Sequence, residues 1–218
     1  MRSRWWRMDK RVTSRVVSRR SVVEGVACAG VVLALGGAVR AFAGTEELLR
    51  PPGAQDEQRL IARCIRCDRC REACPTGAIG VGKLADGVLN ARTPRMDFRS
   101  GACDMCEGRY RCAAACPTGA IGAFDQSGDA IGVAVVDVGV CQLYGYSAHC
   151  SAPCISSCAY GALSLDGNGR LAVDEAACNG CGACEFACPA SSYGSYAATG
   201  KRGINVEVLK GGSRATHS

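Results

Sequence analysis

A chain of 218 residues, 48% of them apolar, has room for one or two small domains with cores of their own. Its net charge of +6 is uneven, because residues 1–43 sum to +7 and the remainder to −1, so the part that folds lacks the basic footprint of a nucleic-acid binder. Seventeen cysteines set against 6% aromatic residues exclude a core filled mainly by large side chains, and point to metal or disulfides as the source of cohesion.

The first 43 residues read as an export signal. Ser18-Arg19-Arg20-Ser21-Val22-Val23 is similar to the twin-arginine pattern, a pair of arginines ahead of an apolar stretch. That stretch runs uncharged from Gly25 to Val39, the length of a signal segment and short for a transmembrane helix. Ala41-Phe42-Ala43 then offers a small-residue cleavage site before Gly44. An uncleaved leader that tethers the protein to the membrane is the alternative. Cys28 does not read as a lipid attachment site, since the apolar stretch continues past it. A leader of this type suits cargo that is folded and loaded with its cofactor before export, so that its thiols do not meet an oxidising compartment bare.

Residues 44–59 form a lead-in, with Pro51-Pro52-Gly53 enforcing an extended turn before a short helix over 56–63. Four cysteine runs follow, opening at Cys64, Cys103, Cys141 and Cys178 with intervals of 39, 38 and 37 residues, which marks repeated supersecondary units. A short helical turn is predicted before the fourth cysteine of each run. CPTGAI at Cys74, CPTGAI at Cys116 and CAYGAL at Cys158 lead into candidate hairpins. These pair 81–84 with 88–90 through Asp86-Gly87, 121–124 with 131–136 through Ser127-Gly128, and 163–165 with 171–173 through 166–169. After the fourth run come a Gly- and Ser-rich segment at 191–202, a terminal strand over 204–209 and a tail, 211–218, expected to be disordered.

Runs one (Cys64, Cys67, Cys70, Cys74) and four (Cys178, Cys181, Cys184, Cys188) have the spacing C-x2-C-x2-C-x3-C followed by proline. This is the bacterial ferredoxin run, in which three thiolates grip one iron-sulfur cube and the fourth ligates a second. Run two (Cys103, Cys106, Cys112, Cys116) widens the second gap to five residues, and run three (Cys141, Cys150, Cys154, Cys158) widens the first to eight. Without Cys28, sixteen cysteines remain for four fully ligated cubes, which favours electron transfer over catalysis at an open iron.

Matching runs of like spacing predicts a nested arrangement of two-cluster units. In it Cys188 completes Cys64, Cys67 and Cys70, while Cys74 completes Cys178, Cys181 and Cys184. Cys158 completes Cys103, Cys106 and Cys112, and Cys116 completes Cys141, Cys150 and Cys154. The expected class is a small, loop-rich α+β fold of tandem, nested ferredoxin-like units. An inner unit at 93–167 sits between outer halves at 60–92 and 168–210. Sequential pairing, run one with two and three with four, is the competitor.

Structural zinc favours two C-x2-C pairs set well apart, and a disulfide scaffold does not require these regular gaps. Run three, with Ala159 where proline stands in the others, is the one that could hold an altered cluster or none. His149 beside Cys150 finds no vacant ligand position, and Tyr144 and Tyr146 read as packing residues. Gly180 to Gly182 lies inside a cysteine run rather than between a strand and a helix, which rejects a nucleotide-binding reading. No nucleophile and base pair stands out.

The twin arginines, Leu49-Arg50-Pro51-Pro52-Gly53-Ala54, CDMCEGRYRC at Cys103–Cys112 and CQLYGYSAHC at Cys141–Cys150 together resemble the ferredoxin-type proteins NapG and MauM. The likeness runs from Arg19 to about Lys210. The later gap of run three and its CAY ending depart from the usual pattern. The resemblance implies four [4Fe-4S] clusters and a periplasmic carrier. Its partners would be a membrane quinol-oxidising ferredoxin-type protein similar to NapH and a periplasmic cytochrome or oxidoreductase. An electron-transfer subunit of a molybdopterin-type oxidoreductase is the nearest alternative. Each oxidised, fully ligated cube adds roughly two negative charges, so an acidic holo-protein and a partner with a basic docking patch are expected.

Overall fold

The computed structural model describes residues 47–144, 150–192 and 201–209, together with Arg20, Val22, Val26, Cys28, Gly30 and Gly36. The chain divides into two units, 1–42 and 43–218. In the first, the six described positions are helical. The rest of the leader, including Arg19, most of the apolar stretch and the cleavage site, lies outside the described residues, as do Tyr146, His149, 193–200 and the tail. Among the described residues no helix is long and apolar enough to cross a membrane.

In the second unit, helix α1 (Glu57–Arg63) begins where the Asp56 carboxylate accepts the Arg59 N–H at 3.0 Å, and it buries Leu60. Glu57 in its first turn and Arg63 in its last complement the helix dipole. The remaining helices are single turns: α2 (Arg69–Glu72), α3 (Arg111–Ala114), α4 (Pro153–Ser156) and α5 (Ala183–Ala187). Each follows a residue with left-handed backbone, at φ 62° for Asp68, 39° for Tyr110, 50° for Ala152 and 78° for Gly182. That reversal curls the cysteine loop and sends the third cysteine of the run, on the first turn of the helix, back towards the first two.

Among the described residues six short strands make three two-stranded antiparallel ribbons. Strand β1 (Ile79–Val81) pairs with β2 (Pro94–Met96), Ile79 opposite Met96. Strand β4 (Leu163–Leu165) pairs with β5 (Leu171–Val173) across the turn expected at 166–169, where the Asp166 carboxylate accepts the N–H groups of Asn168 and Arg170 at 2.8 Å each. Strand β3 (Val133–Val136) pairs with β6 (Ile204–Glu207), far away in sequence.

Two of the three expected hairpins take a different form. The first is wider: Gly82 and Thr93 close the ribbon, and Asp86 caps a 3-10 turn at Leu84–Asp86 by accepting the Lys83 N–H at 2.7 Å instead of forming a two-residue hairpin turn. In the second, a turn forms at 125–129, but 121–124 is not a strand and the return segment is captured by β6.

Apolar side chains gather in two cores, each built around thiols. One joins Leu60, Ile79, Met96, Phe98, Met105, Ile121 and Phe124 to most cysteines of runs one and two and to Cys181 of run four, and the other joins Ala134, Leu163, Leu171 and Ile204 to Cys154 and Cys158 of run three and Cys178, Cys184 and Cys188 of run four. Strand β6 is shared, with Val206 facing the first core and Ile204 the second. Most thiol contacts within the cores join run one to run two and run three to run four, with Cys181 of run four reaching the first core as well. The ribbons β1–β2 and β4–β5 return the chain directly to runs two and four, so those runs meet their predecessors through short loop closures.

Gly180 and Gly182 allow the two halves to meet. Gly180, at φ +72°, lies so close to Gly132 that a β-carbon would sit 2.4 Å from its backbone, and a β-carbon on Gly182, at φ +78°, would sit 2.1 Å from the Phe98 ring. The Ile131 N–H donates to the Asn179 carbonyl at 2.9 Å, and the Cys103 N–H donates to the Cys181 carbonyl at 2.8 Å.

Candidate metal centres

Twelve of the sixteen thiols singled out by spacing line three cavities, four to each, and the other four lie near one another. Cys64, Cys67 and Cys70 line one cavity with Cys116. Cys178, Cys181 and Cys184 line another with Cys158, and Cys141, Cys150 and Cys154 a third with Cys188. The charges of Cys103, Cys106 and Cys112 are each felt together with that of Cys74. Three thiols from one run and the fourth from its neighbour is the exchange expected of a two-cluster ferredoxin.

The nested expectation joins Cys188 to run one, Cys74 to run four, Cys158 to run two and Cys116 to run three, whereas the fourth cysteines lie beside the thiols of other runs. Cys188 does not reach Cys64, Cys67 and Cys70, nor does Cys74 reach Cys178, Cys181 and Cys184. Cys116 and Cys158 likewise stay with the neighbouring run. Spacing within a run describes how one loop curls, and carries no information on which loop lies beside it. The signal that could have found the pairing is the hexapeptide CPTGAI, which runs one and two share and run four lacks. Run three, despite its wide first gap and Ala159, assembles a complete set.

The surroundings fit iron-sulfur cubes on the chemistry of the donors. Burial pushes the thiols of Cys70 and Cys103 up to about 12 and those of Cys112 and Cys154 to about 11, and neighbouring thiols add to the effect. Cys184 is raised further by the same causes. Thiolates crowded in such sites become stable only when positive charge enters the set, which iron supplies. Cys116 moves the other way: burial raises it, but N–H groups of Ile121, Thr118 and Ala120 and the Thr118 hydroxyl outweigh that.

Further polar hydrogens face sulfur. The Ala134 N–H donates to Cys178 Sγ at 3.4 Å, and Cys74 Sγ lies 3.5 Å from the Thr76 hydroxyl. Such contacts stabilise the charge on a ligated cube and set its potential. The sulfurs border cavities, and among the described residues no three His, Cys, Asp or Glu side chains converge as a single metal ion requires. None of the cysteines is joined to another.

Contacts between the sets run in series. Cys70 of the first interacts electrostatically with Cys112 of the second, and Cys184 with Cys154 of the fourth. Between these pairs lies the hydrogen bond from Cys103 to Cys181. The Tyr144 hydroxyl donates to the Leu171 carbonyl at 2.8 Å and its ring lies under Arg170, a packing role. The lead-in, read from sequence as a mere approach, is structural. Arg50, only 3% exposed, donates to Glu57, Thr93, Asn90 and the Pro94 carbonyl, while Pro51, Pro52 and Ala54 are buried.

Comparison with known proteins finds iron-sulfur domains over the cysteine runs. A 4Fe-4S dicluster domain matches residues 63–145, the span of runs one and two, and a 4Fe-4S binding domain matches 171–196. The methylamine utilization ferredoxin-type protein MauM of Paracoccus denitrificans is 34% identical over 204 residues, covering 83% of this chain and 88% of that protein. The ferredoxin-type protein NapG of Escherichia coli is 36% identical over 176 residues, 75% of each chain, and the ferredoxin-type protein NapF of the same species is 31% identical over 153 residues, 66% of this chain and 82% of the other. Iron-sulfur domains and relatives of near full length together show that the chain belongs to the NapG and MauM family of ferredoxin-type iron-sulfur proteins.

Proposed function

We propose that this chain is a non-catalytic electron relay with four [4Fe-4S] clusters. Cys64, Cys67, Cys70 and Cys116 hold one, Cys103, Cys106, Cys112 and Cys74 the next, Cys178, Cys181, Cys184 and Cys158 the third, and Cys141, Cys150, Cys154 and Cys188 the last. When bound, each cube accepts and releases a single electron. What supports the reading is that three cavities are each lined by four of the sixteen thiols, with Cys103, Cys106, Cys112 and Cys74 interacting beside them. No thiol outside the leader is left over and no set is short of one, so each iron would be capped and none left open to a substrate.

The role follows from the series. Short steps between neighbouring sets would connect one end of the molecule to the other, with backbone and hydroxyl hydrogens on sulfur tuning each step. With the arginine pair and apolar leader, and with NapG, MauM and NapF as relatives, the reading extends to a protein exported folded into the periplasm. There it passes electrons from a membrane quinol-oxidising ferredoxin-type partner to a cytochrome or oxidoreductase.

Iron and sulfide analysis of anaerobically purified, reconstituted protein tests the reading. Four cubes require about sixteen of each per chain, with the broad brown absorbance of iron-sulfur proteins. A colourless protein holding zinc, or about half that iron, would contradict it.

A further inference from the structure

Charge is distributed unequally over the four sets. Around Cys64, Cys67 and Cys70 stand Arg63, Arg66, Arg69 and Arg71, all exposed, and Arg92 lines the same cavity. Within the run Asp68 and Glu72 oppose them, and Asp68 is held by Arg92 at 2.9 Å. At the other end of the series, run three holds no Lys, Arg, Asp or Glu from Cys141 to Cys158, and the ribbon and loop after it set Asp166, Asp174 and Glu175 against Arg170.

The arginine-rich end is also the open one. Cys67 is the one exposed thiol of the sixteen. Ile65 is 63% exposed, and Leu84, Val88 and Leu89 lie uncovered on the neighbouring loop. Arg66 ties that loop to the run by donating to the carbonyls of Leu89 and Ala91 at 3.1 and 3.0 Å. The result is an apolar floor with a basic rim beside an accessible ligand position, the anatomy of a transient redox interface.

We propose that this face docks a redox protein with an acidic surface, and that the relay exchanges electrons with it there. The inference rests on the four-cluster reading and refines it. The holo-protein as a whole is acidic, but about two negative charges from one cube do not cancel five arginines opposed by two carboxylates. Exposed arginine pairs bidentately with carboxylates, which gives such a rim orientation as well as attraction. In the exchange one electron passes from a reduced cube to the oxidised partner; the cube returns to its oxidised form, the partner's centre is reduced by one, and no bond or proton moves.

The test uses the full-length, iron-loaded protein and the variant Arg63→Glu/Arg69→Glu/Arg71→Glu, which leaves Arg66 and Arg92 in place. Binding of fluorescein-labelled polyglutamate is read by anisotropy. Oxidation of the dithionite-reduced protein by tris(oxalato)cobaltate(III), an anion, and by hexaamminecobalt(III), a cation, is read by stopped flow. The triple variant is expected to bind polyglutamate about tenfold more weakly and to be oxidised about tenfold more slowly by the anion but not by the cation, with the differences fading at high salt. Arg170→Glu, at the far end, is expected to change neither. Equal effects of the two variants, or none from the triple, would overturn the proposal. So would a triple variant that loses binding to anionic phospholipid vesicles while keeping polyglutamate, which would assign the face to a membrane. Iron analysis of the same samples separates a failed docking face from a failed cluster reading, and the anisotropy reads the face in either case.

Discussion

Arg50 is a charged side chain buried in a stretch that composition alone marks as a linker. Its Nε donates to Glu57 at 2.7 Å, one terminal nitrogen to the Thr93 hydroxyl and the Pro94 carbonyl at 2.8 Å each, and the other to Asn90 at 3.0 Å and again to Glu57. The lead-in, helix α1 and the loop that closes the first ribbon are thus fastened by one guanidinium. Replacing it strands several acceptors: the carbonyl and the side-chain oxygens on 90–94 lose their donor, and Glu57, 45% exposed, recovers partly in water. Arg50→Met should therefore cost about 2–3 kcal/mol, seen as a lower midpoint for loss of visible absorbance on heating, with the iron content of the folded protein unchanged. A midpoint equal to that of the parent would show the network to be superfluous. Nothing in the local sequence announces this role, because Asn90 and Thr93 reach Arg50 only after the ribbon has formed.

At the scale of elements, what is legible is what is local. Helix α1 carries its own cap in Asp56, and the ribbon of β4 and β5 carries its own turn in Asp166 to Gly169, so both stand where spacing and turn chemistry put them. The single-turn helices before each fourth cysteine follow likewise from the run itself. What is hidden is non-local: β3 finds β6 about seventy residues on, and residues 121–124 form no strand although their alternation suits one. The candidate site divides along the same line. The sixteen thiols are legible from their gaps, whereas the partner of each fourth cysteine is decided by which ribbons pack together. Left-handed backbone at Asp68, Tyr110 and Ala152 is equally invisible, since these residue types do not require it and the loop imposes it.

For the whole molecule, the two cores are small and cysteines make up much of their surface contacts. Apolar burial of that extent does not hold a chain of this length alone, so cluster binding should supply folding free energy. Removing iron with a chelator under reducing conditions is expected to abolish protection of the backbone amides in all three ribbons together; surviving protection would mean that the cores stand without metal. In the proposed relay neighbouring runs exchange their fourth cysteines, so that Cys74 serves the set of Cys103, Cys106 and Cys112. The most direct measurement of this exchange compares Cys74→Ser, Cys106→Ser and the double variant by electron paramagnetic resonance and iron content after reduction. Side-by-side pairing predicts that the double variant alters one cluster signal, the same one that each single variant alters, and leaves about twelve irons in intact cubes. Two altered signals in the double variant, with about eight irons left in intact cubes, would contradict it.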